Sequence, residues 1–592
     1  MKLFRKLIGN FTSKPIYIFL TGIIATIAAN AVMISKSGES LPNDWKYFNA
    51  LSLVVRSAVW NYKTFPLHNP WVCGGLDLLT NPQNRIFSPF MLADLLMAPQ
   101  VANIFSILVY GALGFYGMTI LICEMGASLS AGILGAILFL NGTWFGLHYY
   151  SGHIPFGAFQ ALPFALAALY RIDRPQVVVC SALFAALGIL DGAFYAMTSA
   201  AMLVLTWLAC SKHHRENLIH SVKRHPICWI ASLFASLLLA APKIIPTLTG
   251  LAAISIRSEF TSLSFSDTIS ALFNPLLTIW DPFPAQDGAI DFHEFGCYLT
   301  ISACITLAAG LLIDKNFRSR VLPLAAGMAF WLWIGSGWFP DFNPWNLFQR
   351  IPILNKLHIQ SRTFILMYFL FTIAVALGWN AVRKHKILAT ALFSFVVIES
   401  LLARNFTAAA PLIKREPVPG WNDWITSQTI STHFPFASSP SHYLLRKDSG
   451  TSLCYEPSFT VTAISDNEEL DYRGPVYIDP PGTGRVKLDQ FTPGEISFDY
   501  QTIEHGSRIV FNANALYGWQ IRGARGKLTG KGSELLIFTP EQPGEGRATL
   551  TYWPPYVPWI LGSFIAGIAL FSGVFLFISR NPGSNRVKRK KI

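Results

Sequence analysis

The stretch PIYIFLTGIIATIAANAVMI, residues 15–34, contains twenty residues and no charged side chain. About 20 apolar residues make a helix long enough to cross the hydrocarbon core of a bilayer. The segment before it, MKLFRKLIGNFTSK, is basic and has no acid, as is typical of the cytoplasmic end of a span. Together they predict a retained first transmembrane helix. The tripeptide ANA at 29–31 resembles a signal-peptidase site, so a cleaved signal peptide is the alternative.

The whole composition is that of a membrane protein. Apolar residues make up 52% of the chain and charged residues 13%, against about 25% charged residues in soluble domains. The apolar residues form repeated long stretches, which predict a polytopic α-helical membrane protein with about 12 spans. The net charge of +13 comes from short loops and both termini, so we expect a lipid bilayer and no nucleic acid as partner. The predicted spans are 15–34, 102–122, 128–148, 156–170, 176–189, 191–210, 227–250, 295–313, 321–337, 362–381, 387–403 and 557–578.

The loops between these spans predict an orientation. If the N-terminus is cytoplasmic, the segments RIDRP, SKHHRENLIHSVKRH, DKNFRSR, RKHK and NRVKRKK all fall on the cytoplasmic side, as the positive-inside rule requires. We therefore expect both termini in the cytoplasm and the chain in the inner (plasma) membrane. The long segments then lie outside, at about 35–101, 251–294, 338–361 and 404–556.

The segment 404–556 has a different character from the rest of the chain. Stretches such as GEISFDYQTI and RATLTYWP alternate partly between apolar and polar residues and are separated by turns rich in Gly and Pro. They predict an extracytoplasmic β domain of the sandwich type. The predicted organisation is a membrane domain at 1–403 with an external first loop at 35–101, the β domain at 404–556, and a last helix with a basic tail at 557–592.

Asp44, in LPNDWKYFNA, follows the first predicted span. As the N-cap of a surface helix it would stabilise that helix by about 1 kcal/mol. As a general base or a cation ligand it would act on a substrate at the membrane face. The spacing alone leaves both interpretations open.

A second polar group, AIDFHEFGCYLT at 289–300, crowds the start of a predicted span with Asp291, His293 and Glu294. It could be a titrating imidazole between carboxylates, a weak metal site, or ordinary polar residues at a helix start. His148 and His153 lie in a predicted external turn, where a histidine is more often structural. No D-x-D motif accompanies Asp44, which argues against an obligatory metal.

Charged residues within or beside apolar stretches form a third group. Lys243 in LLLAAPKIIPTL lies at a depth where a cation needs a partner or a wet cavity; an anionic phosphate or snorkelling to the interface would each satisfy it. Asp191 marks either a tight turn or a cavity. No P-loop or nucleophile elbow is present in a suitable context, and eight scattered cysteines define no disulfide or zinc pattern.

Several further stretches, taken in order, carry a family resemblance. They are NDWKYF (43–48), NPWVCGGLDLLTNPQNRIFSPF (69–90), SGHIPFGAFQALPFALAALYR (151–171), APKIIPTLTGLAAISIRS (241–258), FHEFGCYLTI (292–301), LFQRIPILNKLHIQSRTFILMYFLFTIAVALGW (347–379), NALYGWQIRGARGKL (514–528) and GEGRATLTYWPPY (544–556). This order resembles the GT-C glycosyltransferases, and among them the YfhO-like branch. The chain departs from the pattern at Thr300, where the family has glycine, and at Leu76-Asp77, where it favours proline.

The resemblance implies a GT-C-like membrane domain and a glycosyltransferase. Such enzymes move a sugar from a polyprenyl-phosphate-linked donor, here to an extracytoplasmic glycan, lipid or protein acceptor. The first-loop acid of the family deprotonates the acceptor, which implies an inverting-type attack with Asp44 as the base.

The resemblance also implies roles for other side chains. The leaving phosphate needs cationic stabilisation, and the candidates for it are Lys243, Arg257 and Arg362. The candidates for orienting the acceptor or holding a divalent cation are His153, Asp291, His293 and Glu294.

Two other functions remain open at this point. A transporter or flippase of a lipid-linked sugar would explain Lys243 and Asp191, but not the long first loop or the large external domain. A non-catalytic scaffold for envelope assembly would make Asp44 dispensable.

Overall fold

The computed structural model describes residues 15–36, 44–251, 261–275, 292–351, 354–357, 359–409, 436–437, 450–451, 472–531 and 534–580. Two of the predicted site residues, Arg257 and Asp291, lie outside these ranges.

Helices dominate the part of the chain before residue 410. The α-helices are α1 (Pro15–Ala29), α2 (Ala31–Ser35), α3 (Trp45–Trp60), α4 (Met91–Leu96), α5 (Pro99–Glu124), α6 (Leu129–Leu140), α7 (Thr143–Ser151), α8 (Leu162–Leu169), α9 (Pro175–Leu190), α10 (Phe194–Cys210), α11 (Lys212–Arg224), α12 (Pro226–Leu251), α13 (Phe265–Phe273), α14 (Ile301–Ile313), α15 (Lys315–Ser336), α16 (Trp345–Phe348), α17 (Phe364–Val382), α18 (Lys386–Ala409) and α19 (Val557–Arg580). Short 3₁₀ turns occupy Ile154–Ala161, Phe292–Glu294, Pro340–Phe342, Leu354–Lys356 and Gln360–Thr363.

The described residues contain six helical segments that are long and apolar enough to cross a membrane. They are Pro99–Glu124, Leu129–Ser151, Pro226–Thr249, Gln360–Val382, Lys386–Thr407 and Val557–Arg580. The pair α10 and α11, bent by 108°, would make a seventh if it counts as one span. The prediction of a multi-span helical protein is confirmed; the number of about 12 spans is not.

For four of the predicted spans the difference comes from helix length. The helices at Ile16–Ala29, Ile154–Leu169, Pro175–Leu190 and Ile301–Ile313 lie in predicted spans, but each has at most 17 residues. At 1.5 Å per residue, the 13 residues of α14 extend about 20 Å, short of the hydrocarbon thickness of about 30 Å.

The core of the bundle is built around α17, whose residues are almost all buried. A helix that is apolar on every side needs neighbours on every side. Glycines allow the closest of these contacts: a Cβ on Gly310 of α14 would lie 2.6 Å from the Cα of Gly378 in α17. Small residues at such crossings are a common way to pack membrane helices.

The first helix is part of the same bundle. Arg404 of α18 is buried and donates to the Ala29 carbonyl (3.3 Å) and to Asn30 Oδ1 (2.8 Å). Gly111 of α5 leaves room for the side chain of Thr26 in α1. The end of α1 is therefore fixed just before the segment that leads to Asp44.

Helix α3 is covered by protein along most of its length. Its amphipathic sequence is compatible with a surface helix, but ten of its sixteen residues are buried. Arg56 donates to the carbonyls of Leu95 (2.9 Å) and Met97 (3.0 Å) at the end of α4. The first loop is therefore a packed layer on the bundle.

Two pairs of short strands precede the C-terminal β structure. The first loop contains the antiparallel pair β1 (His68–Asn69) and β2 (Leu76–Asp77), which we call the first-loop ribbon. The second pair is parallel and consists of β3 (Phe436–Ala437) and β4 (Gly450–Thr451). Helix α18 ends at Ala409, beyond the predicted domain boundary at 403.

The C-terminal region is the predicted β structure. Its strands are β5 (Val476–Asp479), β6 (Gly484–Thr492), β7 (Glu495–Thr502), β8 (Arg508–Asn514), β9 (Trp519–Arg522), β10 (Gly526–Thr529), β11 (Leu535–Pro540) and β12 (Gly544–Tyr552). They form two antiparallel four-stranded sheets, ordered β10-β11-β8-β5 and β6-β7-β12-β9. Phe498 of the second sheet contacts Phe511 and Phe538 of the first, with ring centroids 5.0 and 6.1 Å apart. The two sheets thus pack face to face as a sandwich.

The sandwich is bound to the first-loop ribbon through buried polar contacts. Tyr552 donates to Asp77 Oδ2 (2.9 Å), and Tyr556 donates to the same oxygen. Burial raises the pKa of Asp77, against the effect of these two hydrogen bonds. Asn514 donates to the carbonyls of Cys73 (2.6 Å) and Gly75 (2.9 Å). The first loop and the sandwich therefore lie on the same side of the bundle.

His68 adds a neutral contact to this interface. Burial lowers the pKa of His68 to about 3, so the uncharged ring can accept a hydrogen bond at Nδ1. The Gly494 N–H donates to it (3.3 Å), and the rings of Trp519 and Tyr552 pack against it with centroids 5.1 and 5.3 Å away.

Cys73, in the first-loop ribbon, is disulfide-bonded. The sequence contains no recognisable disulfide pattern, so this bond was not predicted. The other cysteines among the described residues are free. Disulfides persist in oxidising compartments; the extracytoplasmic position of the first loop stays a prediction.

We expect Tyr552→Phe to destabilise the docking of the sandwich. The substitution removes a buried hydrogen bond to Asp77 and should lower the free energy of unfolding by about 1–3 kcal/mol. The measurement is thermal unfolding of the purified protein in detergent. Tyr517→Phe is the matched control, because Tyr517 is 80% exposed; equal stability of the two variants would contradict the expectation.

Candidate functional site

Asp44 is held in place by its neighbour Trp45. The Trp45 indole is completely buried and donates to the Tyr149 carbonyl (2.6 Å). The Asp44 N–H donates to the Ser151 carbonyl (3.1 Å). The Asp44 side chain makes no capping hydrogen bond to α3, so the helix-cap interpretation is wrong. Its carboxylate faces His153 instead, with Oδ2 3.4 Å from Nε2.

The turn that carries His153 requires glycine at position 152. Gly152 ends α7 with φ of +90°, in the left-handed region. A Cβ at this position would overlap the backbone of Asp44 and Trp45. The turn can therefore press directly on the start of α3, which brings the histidine next to the acid.

The two histidines of this turn contact each other. His148, in the last turn of α7, is completely buried, and its ring packs against Trp144 with centroids 4.0 Å apart. Its Nδ1 lies 2.8 Å from His153 Nδ1. Burial lowers the pKa of His153, although the hydrogen bond with Asp44 opposes this. A neutral His153 can donate from Nε2 to Asp44 and accept from His148 at Nδ1.

Glu294 and Arg362 form a buried bidentate ion pair beside the histidines. Arg362 Nε donates to Oε2 (2.9 Å) and Nη2 donates to Oε1 (2.7 Å). The guanidinium also lies over the rings of Phe156 (5.0 Å) and Tyr195 (4.7 Å). Burial opposes ionisation of Glu294, but the charge of Arg362 outweighs it and holds the pKa of Glu294 well below its ordinary value.

His293 completes the group. Its Nε2 lies 3.5 Å from Glu294 Oε1, and its ring centroid is 5.4 Å from that of His153 and 6.0 Å from that of His148. We call this group the histidine–carboxylate cluster. Its members are Asp44, His148, His153, His293, Glu294 and Arg362.

Three members of the cluster are arranged as metal ligands could be. His148, His153 and Glu294 each offer one ligand atom, and these atoms lie within 4.8 Å of one another.

The structure thus brings five predicted site residues together: Asp44, His153, His293, Glu294 and Arg362. Their catalytic and binding roles remain predictions. Arg362 gives two of its N–H groups to Glu294, so the carboxylate offsets much of its charge.

Lys243 has a different set of contacts. It is buried and donates to the carbonyls of Asn81 (3.0 Å) and Asn84. Asp191 contacts the same part of the first loop, because it accepts a hydrogen bond from Ser88 (2.8 Å). It also accepts one from Tyr110 of α5 (2.7 Å). Both residues hold the first loop on the bundle, so their contacts supply a structural reason for charge at this depth. These contacts do not support the predicted phosphate-binding role of Lys243.

The sequence interpretation undervalued His148 and missed Trp45 and Gly152. The spacing of His148 and His153 is visible in HYYSGH. However, only the left-handed turn at Gly152 makes the two rings face each other, and the sequence does not reveal that conformation.

We expect Gly152→Ala to disrupt the position of Asp44. Any residue other than glycine at positive φ costs about 1–2 kcal/mol, and the added methyl would also displace Trp45. Gly126→Ala is the matched control, because Gly126 has φ of +85° but a methyl group there would meet no atom within 4 Å. Thermal unfolding in detergent should show a clearly greater loss of stability for Gly152→Ala; equal losses would contradict the proposed contact.

Comparisons with known proteins yield few matches. No protein-family model matches the chain, and no curated protein sequence matches it. Among solved structures, the chain is similar to two cryo-EM structures of the mycobacterial arabinofuranosyltransferase AftD, one of them a mutant form. The TM-scores are 0.42 and 0.40, the identities 14% and 15%, and the matches cover 72% of this chain but 30% and 31% of AftD. The chain thus spans under a third of AftD, and similarity at this level does not establish a shared activity.

Proposed function

We propose that this chain is a membrane glycosyltransferase of the GT-C type, related to the YfhO-like branch. It transfers a sugar from a polyprenyl-phosphate-linked donor to an extracytoplasmic acceptor, which is a glycan, a lipid or a protein. The ordered sequence resemblance supports the family, and the histidine–carboxylate cluster supports the reaction.

The exposure of Asp44 is the observation that carries this proposal. Its side chain keeps 26% of its surface exposed, whereas that of Glu294 keeps 5% and accepts two bonds from Arg362. Of the two carboxylates in the cluster, Asp44 is the one that an acceptor hydroxyl can reach. A general base must come within about 3 Å of the proton that it removes.

The reaction follows from this arrangement. The acceptor hydroxyl oxygen attacks the anomeric carbon while the bond from that carbon to the phosphate oxygen breaks. The hydroxyl proton passes to Asp44, and the polyprenyl phosphate leaves as an anion. His153, 3.4 Å from the carboxylate, orients the base by donating from Nε2.

The leaving phosphate is an anion that needs a cationic partner. Arg362 lies in the cluster, but a phosphate must share its guanidinium with Glu294. Arg257 lies outside the described residues, and Lys243 is bonded to loop carbonyls. We therefore assign Arg362 as the first candidate among the three cations.

The decisive variant is Asp44→Asn. Loss of a general base should lower transfer from a polyprenyl-phosphate sugar in proteoliposomes by about 10²-fold or more. The control is Asp341→Asn, an exposed acid in another predicted external segment, whose activity should match that of the wild type.

The same assay separates the alternatives. Near-normal transfer by Asp44→Asn would exclude the role of Asp44 as base. Translocation of the lipid-linked sugar without transfer would favour a flippase, and neither activity in the wild type would favour a scaffold.

The proposed topology places both termini in the cytoplasm and the sandwich outside. Cys210, at the end of α10, is free and exposed. A membrane-impermeant maleimide should therefore label Cys210 in inverted vesicles but not in intact spheroplasts. Tyr517→Cys, on the exposed surface of the sandwich, should show the opposite pattern. Labelling of both positions from one side would contradict the topology.

A further inference from the structure

The geometry points to a zinc ion bound by His148, His153 and Glu294. Asp44 would orient His153 by accepting a hydrogen bond from its other ring nitrogen. The inference deepens the proposed function, since the ion would lie within the proposed active site. Its binding does not depend on glycosyl transfer.

The ligand distances fit one ion. Zinc holds imidazole nitrogens at about 2.0–2.1 Å and carboxylate oxygens at about 2.0–2.2 Å, so its ligands lie about 3–4 Å apart. The three candidate ligand atoms lie within 4.8 Å of one another. Side-chain adjustments of about 1 Å complete the set, and two histidines with one glutamate are a known catalytic zinc combination.

A second observation supports a ligand at this place. His148 is completely buried, and its Nε2 has no hydrogen-bond partner among the described residues. Its other nitrogen, Nδ1, lies 2.8 Å from Nδ1 of His153, whose ring is only partly exposed. In the metal-free pair one proton lies between these two nitrogens, and an ion bound by both lone pairs would replace that proton.

The surroundings of His153 match those of a metal ligand. A ligating histidine usually donates its other ring N–H to a carboxylate, which orients the ring. His153 Nδ1 faces His148, and its Nε2 lies 3.4 Å from Asp44 Oδ2. Asp44 would therefore be a positioning residue for this ligand in addition to its proposed role as base.

Glu294 can bind the ion and keep its hydrogen bonds to Arg362 at the same time. Its two carboxylate oxygens accept one bond each from Arg362, and an ionised carboxylate has about four acceptor positions. His293, 3.5 Å from Glu294 Oε1, is the nearest candidate for a fourth ligand. The ion and Arg362 would together form a cationic surface suited to a phosphate oxygen.

The donor set selects the kind of metal. Imidazole nitrogen suits zinc and its transition-metal neighbours, whereas magnesium and calcium prefer oxygen ligands alone. Two of the three ligands here are imidazoles, so the set favours zinc over magnesium.

The test is metal analysis of the full chain purified in detergent, without any sugar donor. We expect one zinc per chain, retained through gel filtration. Cobalt substituted for zinc should give a visible absorption band from the bound ion. His148→Gln and His153→Gln should each lower zinc affinity at least about 10-fold and abolish the band. His505→Gln is the matched control, since His505 is exposed in a turn of the sandwich.

Asp44→Asn gives a distinct signature. Because it removes only support for a ligand, zinc should still bind, with affinity lowered about 10–100-fold. Thermal unfolding with added zinc provides a check that needs no variant, because an ion that binds the folded state raises the unfolding temperature.

Two results would overturn the inference. One is a folded wild-type protein that neither retains zinc nor gains thermal stability from it. The other is bound zinc whose affinity is unchanged in both histidine variants. Zinc binding without sugar transfer would refute the proposed function alone, and sugar transfer by a wild-type protein that neither retains nor takes up added zinc would refute the metal site alone.

Discussion

The buried ion pair between Glu294 and Arg362 is the interaction on which the candidate site depends. Moving a charge out of water costs several kcal/mol per ion, and only a well-matched partner offsets that cost. The two parallel hydrogen bonds of this pair provide the match. Loss of either partner would leave a buried charge uncompensated, at about 3–5 kcal/mol. Since Glu294 precedes α14 and Arg362 precedes α17, the pair joins the starts of two helices and places His293 beside the other histidines.

The first loop is held from two directions. On the bundle side, Lys243 and Asp191 bind the segment 81–88 through its carbonyls and a hydroxyl. On the sandwich side, Asp77 receives two tyrosine hydroxyls. Asp44 belongs to the same layer, so its position is set before any substrate arrives. Such preorganisation suits the proposed role of Asp44 as a base, because a small misplacement of a catalytic group lowers the reaction rate greatly.

Much of this architecture was predictable from local pattern. The apolar stretches and the alternating segments locate helices and strands because their periods are local properties. Charged residues are scarce in this chain, and a polar residue beside an apolar stretch is costly without a partner. This predicted four residues as candidate site residues: Asp44, His293, Glu294 and Arg362. Local pattern does not reveal a side chain's partners: Lys243 has the pattern of a phosphate ligand, and in the structure its buried ammonium binds carbonyls of the first loop. The cap interpretation of Asp44 failed for the same reason, because its side chain turns to His153.

The sequence by itself determined the membrane class, the β region and a short set of polar residues worth testing. Only the tertiary structure decided which of these residues meet, which acid stays exposed, and that His148 belongs with them. The reason is physical. Hydropathy and turn chemistry act over a few residues, whereas exposure and ion pairing depend on segments far apart in the chain, such as 44, 153, 294 and 362. The left-handed turn at Gly152 and the indole of Trp45 bring the first two together, and the buried ion pair brings the last two.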